Sequence, residues 1–585
     1  MKYNDLRALL VKRFHLPKER AIGTAIRRFT LAEKAVFYFF VGVFIFCGVL
    51  LLWKVNSAFL ESVPLRGGTL TEGDIGNPRF INPVLALSES DKNLTALVYS
   101  GLVRITPSGD IENDLADSVT ISKDGLTYTV HIRPDATFQD GTPVTADDVL
   151  YTISKITDVS IKSPLYGDFA GIALNEIDNQ TLSFTLKKPY APFMDNLTVG
   201  ILPKHLWSSV SDDEFSFSQL NVLPVGSGPY KVSTVTRDSG GIPNYYDLVP
   251  FSKTIGGAPY IGDMVFKFFT NENDLLDAYS SGNIQSLSGM SPDEAVTLKK
   301  EGANVISTPL PRVFGVFFNQ SSNKALLEKD VRQALDLAAP KDDIVKNILD
   351  GYGTPLDGPL PPEFSGKPAV VPSTADGLAQ AQALLAKNGW TKNPTTGTLE
   401  KKSKSGTLTL SFTLSTSNAP ELKAVADALK VAWTNMGAEV DVQVFDSGDL
   451  NQNVIRPRHY DALLFGEVVG RDEDVYPFWH SSERNDPGLN IALYANSTVD
   501  KLLEDARSQS DQSKRDADYA SFQKDVESDA PAVFLYAPSF LYVLPSSIQG
   551  VSLGNLSLPQ DRFLGIRDWY METNSVWQIF INNNN

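Results

Sequence analysis

The stretch FGEVVGRDEDVYPFW, residues 465–479, sets Glu467, Arg471, Asp472, Glu473 and Asp474 among Tyr476, Phe478 and Trp479. Aromatic walls around a few fixed charges are the usual furnishing of a small-ligand site. The segment leaves the apolar run Ala462, Leu463, Leu464 and Phe465, which predicts a buried strand. Ligand crevices in α/β sheets open where the chain leaves such strands. The same residues also describe a solvated loop closed by its own salt bridges, and that alternative stands beside the first.

Elsewhere the residue types that make and break bonds lack the spacing to do so. The chain has no Gly-x-Ser-x-Gly elbow, no phosphate-binding Gly-rich loop ending in Lys and Ser or Thr, and no His-Glu-x-x-His helix. Its five histidines, His15, His131, His205, His459 and His480, are scattered without metal-ligand spacing, so neither a metal nor a cofactor is expected. The acid pairs Asp147-Asp148 and Asp342-Asp343 fall near predicted helix starts, where capping accounts for them. Paired-carboxylate hydrolysis stays open only because carboxylate separation cannot be read from a sequence. A non-enzyme is expected.

These residues must be positioned by a body that lies outside the cell. Residues 35–53, AVFYFFVGVFIFCGVLLLW, carry no charge and are long enough to cross a bilayer as a helix. The 34 residues before them hold nine Lys or Arg against three acids, a net charge of +6 that keeps this end in the cytoplasm by the positive-inside rule. A cleaved signal peptide is the competing reading, but the basic region is long and the apolar span full-length. Lipid attachment at Cys47, the single cysteine, would require a small residue where Phe46 stands. The net charge of −17 over 585 residues leaves −23 for everything after the basic tail. So acidic a body argues against nucleic acid and anionic lipid as partners.

Within that body, strands and helices alternate. Leu126, Tyr128, Val130 and Ile132 alternate with polar residues as a half-buried strand, with His131 on its polar side. Asp140-Gly141-Thr142-Pro143 is turn chemistry, and Thr145 caps a helix whose buried stripe is Val149, Ile153 and Ile156. Leu408, Leu410, Phe412 and Leu414 predict another strand. A helix capped by Asn418 and ended by Gly437 follows, then a strand through Val440, Val442 and Val444, which together make a βαβ unit with parallel pairing. Helices are expected over 374–388 and 330–348, with a Pro- and Gly-rich loop over 353–372.

The segment 97–149, LVYSGLVRITPSGDIENDLADSVTISKDGLTYTVHIRPDATFQDGTPVTADDV, resembles the signature of the family 5 extracellular solute-binding proteins, the peptide and nickel receptors of ABC importers. VGSGPYKV (225–232), VRQALDLAAPKDDIVKNILDGYGTP (331–355), AQALLAKNGW (381–390) and HYDALLFGEVVGRDEDVYPFW (459–479) continue the likeness in family order. The resemblance implies an α/β, two-lobed periplasmic-binding-protein-like fold of three domains behind an N-terminal transmembrane helix. It further implies closure on a peptide or peptide-like solute and delivery to an ABC transporter permease. The expected layout is a basic tail over 1–34, an anchor over 35–53 and a stalk over 54–66. A discontinuous first domain covers 67–93, 196–270 and 543–585, a small second domain 94–195 and a third domain 271–542. The expected ligand-binding residues are Asn82, Glu467, Arg471, Asp472, Asp474 and Trp479. Peptide-binding members carry, after a Gly-Trp-x-x motif, an Asp that pairs with the peptide's α-ammonium. Here, aligned without a gap from Gly470, Arg471 holds that position, with Asp472 and Asp474 next in line. A solute-sensing ectodomain that signals through a partner and a surface hydrolase are the alternatives.

Overall fold

The computed structural model describes residues 26–361, 376–403, 406–471, 474–509, 511–554 and 556–577. They fall into two compact units, Met1–Leu65 with Thr573–Asn585, and Arg66–Glu572.

In the first unit, a 29-residue helix, Leu31–Phe59, is capped by Thr30, whose hydroxyl and backbone N–H exchange hydrogen bonds with Glu33. Among the described residues it is the one helix long and apolar enough to cross a membrane. The expected stalk takes on regular structure. Its first residues continue the helix to Phe59, and Leu60–Leu65 is a strand that pairs with the C-terminal strand Glu572–Trp577. Trp577 stacks on Phe59 with ring centroids 6.2 Å apart and donates its indole N–H to Asn56 at 2.9 Å.

In the second unit, twelve strands join in one sheet whose two halves serve two lobes. The first lobe is built on Thr69–Ile75 and Asp263–Phe269, which run parallel, with Pro243–Pro250 and Tyr230–Arg237 added antiparallel at the edge. The second lobe orders Glu439–Phe445, Ser411–Ser417, Ala462–Val468 and Arg312–Phe318 side by side. One strand, Ala532–Val543, belongs to both. Its first half pairs with Arg312–Phe318 and its second half with Val305–Pro309 and Ser286–Ser288. Residues 286–288 and 305–309 hydrogen-bond into the first lobe, and the chain crosses at Leu310, whose N–H donates to Pro538 at 3.0 Å. A hydrophobic pattern identifies a strand but not the sheet that the strand joins.

Most local expectations hold in detail. The strand Thr127–Ile132 sits inside a four-stranded antiparallel sheet, and its buried residues alternate as Tyr128, Val130 and Ile132. The helix Ala146–Thr157 follows, with the Asp148 carboxylate accepting from Thr145 N–H at 2.9 Å and Thr145 Oγ1–H at 2.7 Å, and with Val149, Ile153 and Ile156 buried. The Gly226-Ser227-Gly228 stretch has a steric reason for its glycines. A Cβ on Gly226 would stand 2.0 Å from the Val98 carbonyl oxygen, and one on Gly228 would stand 2.6 Å from the Val98 carbonyl carbon. This close backbone approach ties the small domain into the first lobe, and the two share one apolar core.

The βαβ unit is present as Ser411–Ser417, Pro420–Met436 and Glu439–Phe445, its strands parallel and its helix ended by Gly437 at φ 117°. Its cap is Ala419 rather than Asn418, because Pro420 occupies the first helical turn, where its missing N–H costs nothing. Leu408 lies in a separate strand, Gly406–Thr409, which pairs with Leu399–Ser403. The helix expected over 330–348 is two helices, Lys329–Leu337 and Lys341–Asn347, because Pro340 cannot donate and pushes Ala339 out of helical conformation.

A buried ion network fastens the first lobe. Arg562, fully buried, donates to Glu72 at 2.6 and 3.0 Å and to Asn93 at 2.8 Å, and lies 3.6 Å from Asp74. Tyr542 on the shared strand donates its hydroxyl to Glu72 at 2.8 Å. Burial pushes the Asp74 carboxyl up to about 7 against the pull of Arg562. Removing one member of such a set strands the others in a low dielectric. Arg562→Ala is expected to cost about 3–5 kcal/mol, read as a lowered midpoint in denaturant unfolding. A Glu72→Gln, Arg562→Met double variant recovers part of that loss.

Candidate functional site

The two crossings between the lobes are rich in proline: Pro309, Leu310 and Pro311 on one strand, Ala537, Pro538 and Ser539 on the other. Proline removes a ladder donor, and at this crossing Ala532–Val543 exchanges Arg312–Phe318 for Val305–Pro309 as its neighbour while Gly353–Pro355 pairs with residues 536–538. Above them lies a cavity of 310 Å³ with Leu310, Arg312, Pro538 and Phe540 among the residues of its floor. Glu89, Met290 and Pro292 face it from the first lobe, and Phe314, Tyr352, Glu421 and Tyr536 from the second. Phe314 and Tyr536 stack with centroids 5.1 Å apart and planes 6° from parallel, which gives one wall a flat aromatic surface.

Three helices begin at this cavity, Glu89–Val98, Pro292–Lys300 and Pro420–Met436. The Arg312 guanidinium is half-buried and its Nε–H has no hydrogen-bond partner. Burial holds Arg312 below the usual arginine range, with Glu89 acting in the opposite direction. Glu421 is raised, by burial first and then by the carboxylates of Glu272 and Asp293. The cavity is thus a solute-sized chamber with an aromatic wall and charges of both signs. Among the described residues, no group of three or more His, Cys, Asp and Glu is placed to hold a metal ion.

The structure puts the sequence-derived candidates elsewhere, and none of the five described ones lines the cavity. Asn82 is buried in a turn, donating to Asn221 Oδ1 at 2.9 Å and accepting from Val84 N–H. Trp479 is fully buried among Phe317, Tyr494, Phe522 and Phe534. Glu467 belongs to the same apolar layer, with no hydrogen bond to either oxygen. Arg471 and Asp474 join the second lobe to other parts of the molecule. Arg471 donates to Asp561 at 2.6 Å and to Ser557 at 3.3 Å, in the segment that leads into the first-lobe residue Arg562. Asp474 accepts from Arg507 at 2.7 and 2.9 Å and from the Tyr190 hydroxyl at 3.2 Å, and the neighbouring Ala191 N–H donates to the Arg507 carbonyl at 2.8 Å. Asp472 lies outside the described residues. Arg312 and Glu421 were reachable from sequence. Arg312 closes a Pro-Leu-Pro-Arg run between two strands, and Glu421 opens the helix that leaves a buried strand.

The description "Bacterial extracellular solute-binding proteins, family 5 Middle" matches residues 110–487. The chain belongs to this family. Oligopeptide-binding protein AppA of Bacillus subtilis is 26% identical over 531 residues, covering 88% of this chain and 94% of its own length. The probable D,D-dipeptide-binding periplasmic protein DdpA of Escherichia coli K12 is 27% identical over 494 residues, or 82% and 90% of the two chains. Among solved structures, AppA of Bacillus subtilis in complex with a nonapeptide superposes with a TM-score of 0.69 at 26% identity, covering 87% of this chain and all of the other. The substrate-binding protein CtaP of Listeria monocytogenes gives 0.73, at the same identity and coverage. The family 5 fold, α/β and two-lobed, is therefore that of residues 66–572, and the protein is a solute-binding protein of the kind that serves ABC importers.

Glu467 has a measurable consequence. Its surroundings push the carboxyl well above its ordinary value of 4.5, chiefly by burial, while the nearby Trp479 indole N–H opposes this without reaching hydrogen-bond geometry. The folded protein keeps a proton that the unfolded chain releases, so stability falls as pH rises above that ordinary value. The expected slope is up to about 1.4 kcal/mol per pH unit. Glu467→Gln removes it, and denaturant midpoints at about pH 5 and about pH 7 should differ less in the variant than in the wild type.

Proposed function

We propose that the protein is a membrane-tethered receptor that takes a short peptide or peptide-like solute into the cavity above the crossing strands and hands it to an ABC transporter permease. The observation that carries this is the position of the cavity. It lies at the hinge, with walls from both lobes, so opening and closing the lobes exposes or buries whatever it holds. A volume of 310 Å³ is at the lower end of the roughly 300–1,000 Å³ of small-molecule pockets, which suits a short solute. The relatives are named for oligopeptides and a D,D-dipeptide, which supports a peptide-like guest. The helix Leu31–Phe59 supplies the tether, and its basic flank keeps the N-terminus in the cytoplasm and the body outside.

Closure is a population shift, driven by tighter binding to the closed form. The Arg471–Asp561 pair spans the lobes and contributes to that form. Removing Arg471 leaves Asp561 still accepting from the backbone N–H groups of Ser557 and Leu558 at 2.8 and 3.0 Å, so folding is little affected.

Titration calorimetry of the detergent-solubilised full chain against a panel of dipeptides and tripeptides tests the proposal, with X-ray scattering of the same samples. Heat of binding with a fall in radius of gyration is expected, and no heat from any member would overturn the proposal. Arg471→Ala is expected to weaken affinity about tenfold, equivalent to about 1.4 kcal/mol, with an unchanged melting temperature.

A further inference from the structure

Several charged side chains drawn into this molecule are matched, with Glu467 in its apolar layer an exception. Arg562 meets Glu72, Lys341 meets Asp336 and Asp357, and Arg507 meets Asp474. Arg332 spends its guanidinium on the carbonyls of Leu326, Leu327, Asp529 and Ala530. The hinge cavity breaks this pattern. Among the described residues, Arg312 and Glu421 are half-buried in its wall with no ion pair and no side-chain hydrogen bond, and Glu89 faces it unpaired from the opposite lobe. Unmatched charge at a partly desolvated surface is costly unless something brought in from outside matches it.

The sign of that something follows from the balance of charge. The three helix ends at the cavity attract anions, at about +0.5 elementary charge each. Against them stand full carboxylates in the first turns of the same helices: Glu89, Asp293 and Glu421. Glu272, which accepts from Ser291 N–H and Oγ–H at 2.5 and 2.8 Å, adds a fourth close to Glu421. Among the described residues, Arg312 is the one cation on the cavity wall. Glu89 and Glu421 stand on the wall itself, and negative charge concentrates at Glu421, which also feels the carboxylates of Glu272 and Asp293 from the other lobe.

We infer that the cavity selects solutes with a cationic side group, seated against Glu421 with Glu272 and Asp293 behind it, and that Arg312 receives the solute's carboxylate. This rests on the reading of the cavity as the solute site and adds the chemical class of the guest: a short basic peptide rather than a neutral or acidic one. Closing the lobes brings Glu272 and Asp293 of the first lobe toward Glu421 of the second. Like charges resist that approach unless a cation lies between them, so a basic guest favours the closed form by more than its contacts alone.

The test is calorimetry of the full chain in detergent, at neutral pH and low salt, with Ala-Lys, Ala-Ala and Ala-Glu as probes. Ala-Lys is expected to bind at least tenfold more tightly than Ala-Ala, and Ala-Glu more weakly than either. Glu421→Gln should bring the three within about threefold of one another. Asp293→Asn, at an exposed position that leaves folding intact, should shrink the preference for Ala-Lys by a smaller factor. Equal affinities, or a preference for Ala-Glu, would overturn the selectivity while leaving the cavity as the solute site. Absence of binding by all three would overturn both.

Discussion

One twelve-residue strand, Ala532–Val543, belongs to both lobes, and the rest of the architecture follows from that sharing. Its first half is held by Arg312–Phe318 and its second by Val305–Pro309, so each lobe owns half of a single extended segment. A continuous strand resists stretching and shear between the parts it joins. At Pro538 the strand changes partners, from Arg312–Phe318 before it to Val305–Pro309 after it, with the Leu310 N–H donating to the Pro538 carbonyl. The strand joins the two lobes directly, with the cavity beside the place where it changes partners.

The charged groups take three roles according to what surrounds them. Around Arg562 every partner comes from the first lobe, the whole set is buried, and a change of lobe angle leaves it untouched. That network holds Thr69–Ile75, the shared strand through Tyr542 and the C-terminal turn through Arg562 itself as one body. Arg471 and Asp561 are partly solvated and lie on different lobes, so their pair forms and breaks at modest cost as the angle changes. Asp561 is the residue before Arg562. The cross-lobe pair is thus anchored on the most rigid part of the first lobe, and its geometry reports lobe position rather than local wobble. Among the described residues the cavity charges Arg312 and Glu421 make no ion pair.

Local chemistry made the elements readable. Period-two alternation located Thr127–Ile132, Thr145 and Asp148 located the following helix, and Gly437 ended the helix of the βαβ unit. Family resemblance supplied the two-lobed plan that no local pattern contains. Relations between distant segments stayed hidden. That Val305–Pro309 pairs with the shared strand depends on long-range pairing, which leaves no mark on either segment alone. The charged and aromatic stretch after residue 465 has a composition that a binding site and an internal support share. The distinction lies in partners: Asp474 has Arg507, Arg471 has Asp561, and Trp479 has four aromatic neighbours. Each partner is between 15 and 162 positions away, beyond the reach of spacing arguments.

Strength of closure and usefulness to a transporter pull in opposite directions. A receptor whose lobes held together without solute would present its closed form to the permease empty. One whose lobes never met would bury nothing. A ligand shifts such an equilibrium only by the difference in its affinity for the two forms. The molecule therefore needs cross-lobe contacts of modest net worth, and a repulsion that the guest relieves. A single partly exposed ion pair at Arg471 and an excess of carboxylate at the chamber satisfy both requirements. On this account the unmatched charges of the cavity are not a defect of packing. On the proposed reading they disfavour the empty closed form, and matching them is what the solute contributes to closing the lobes.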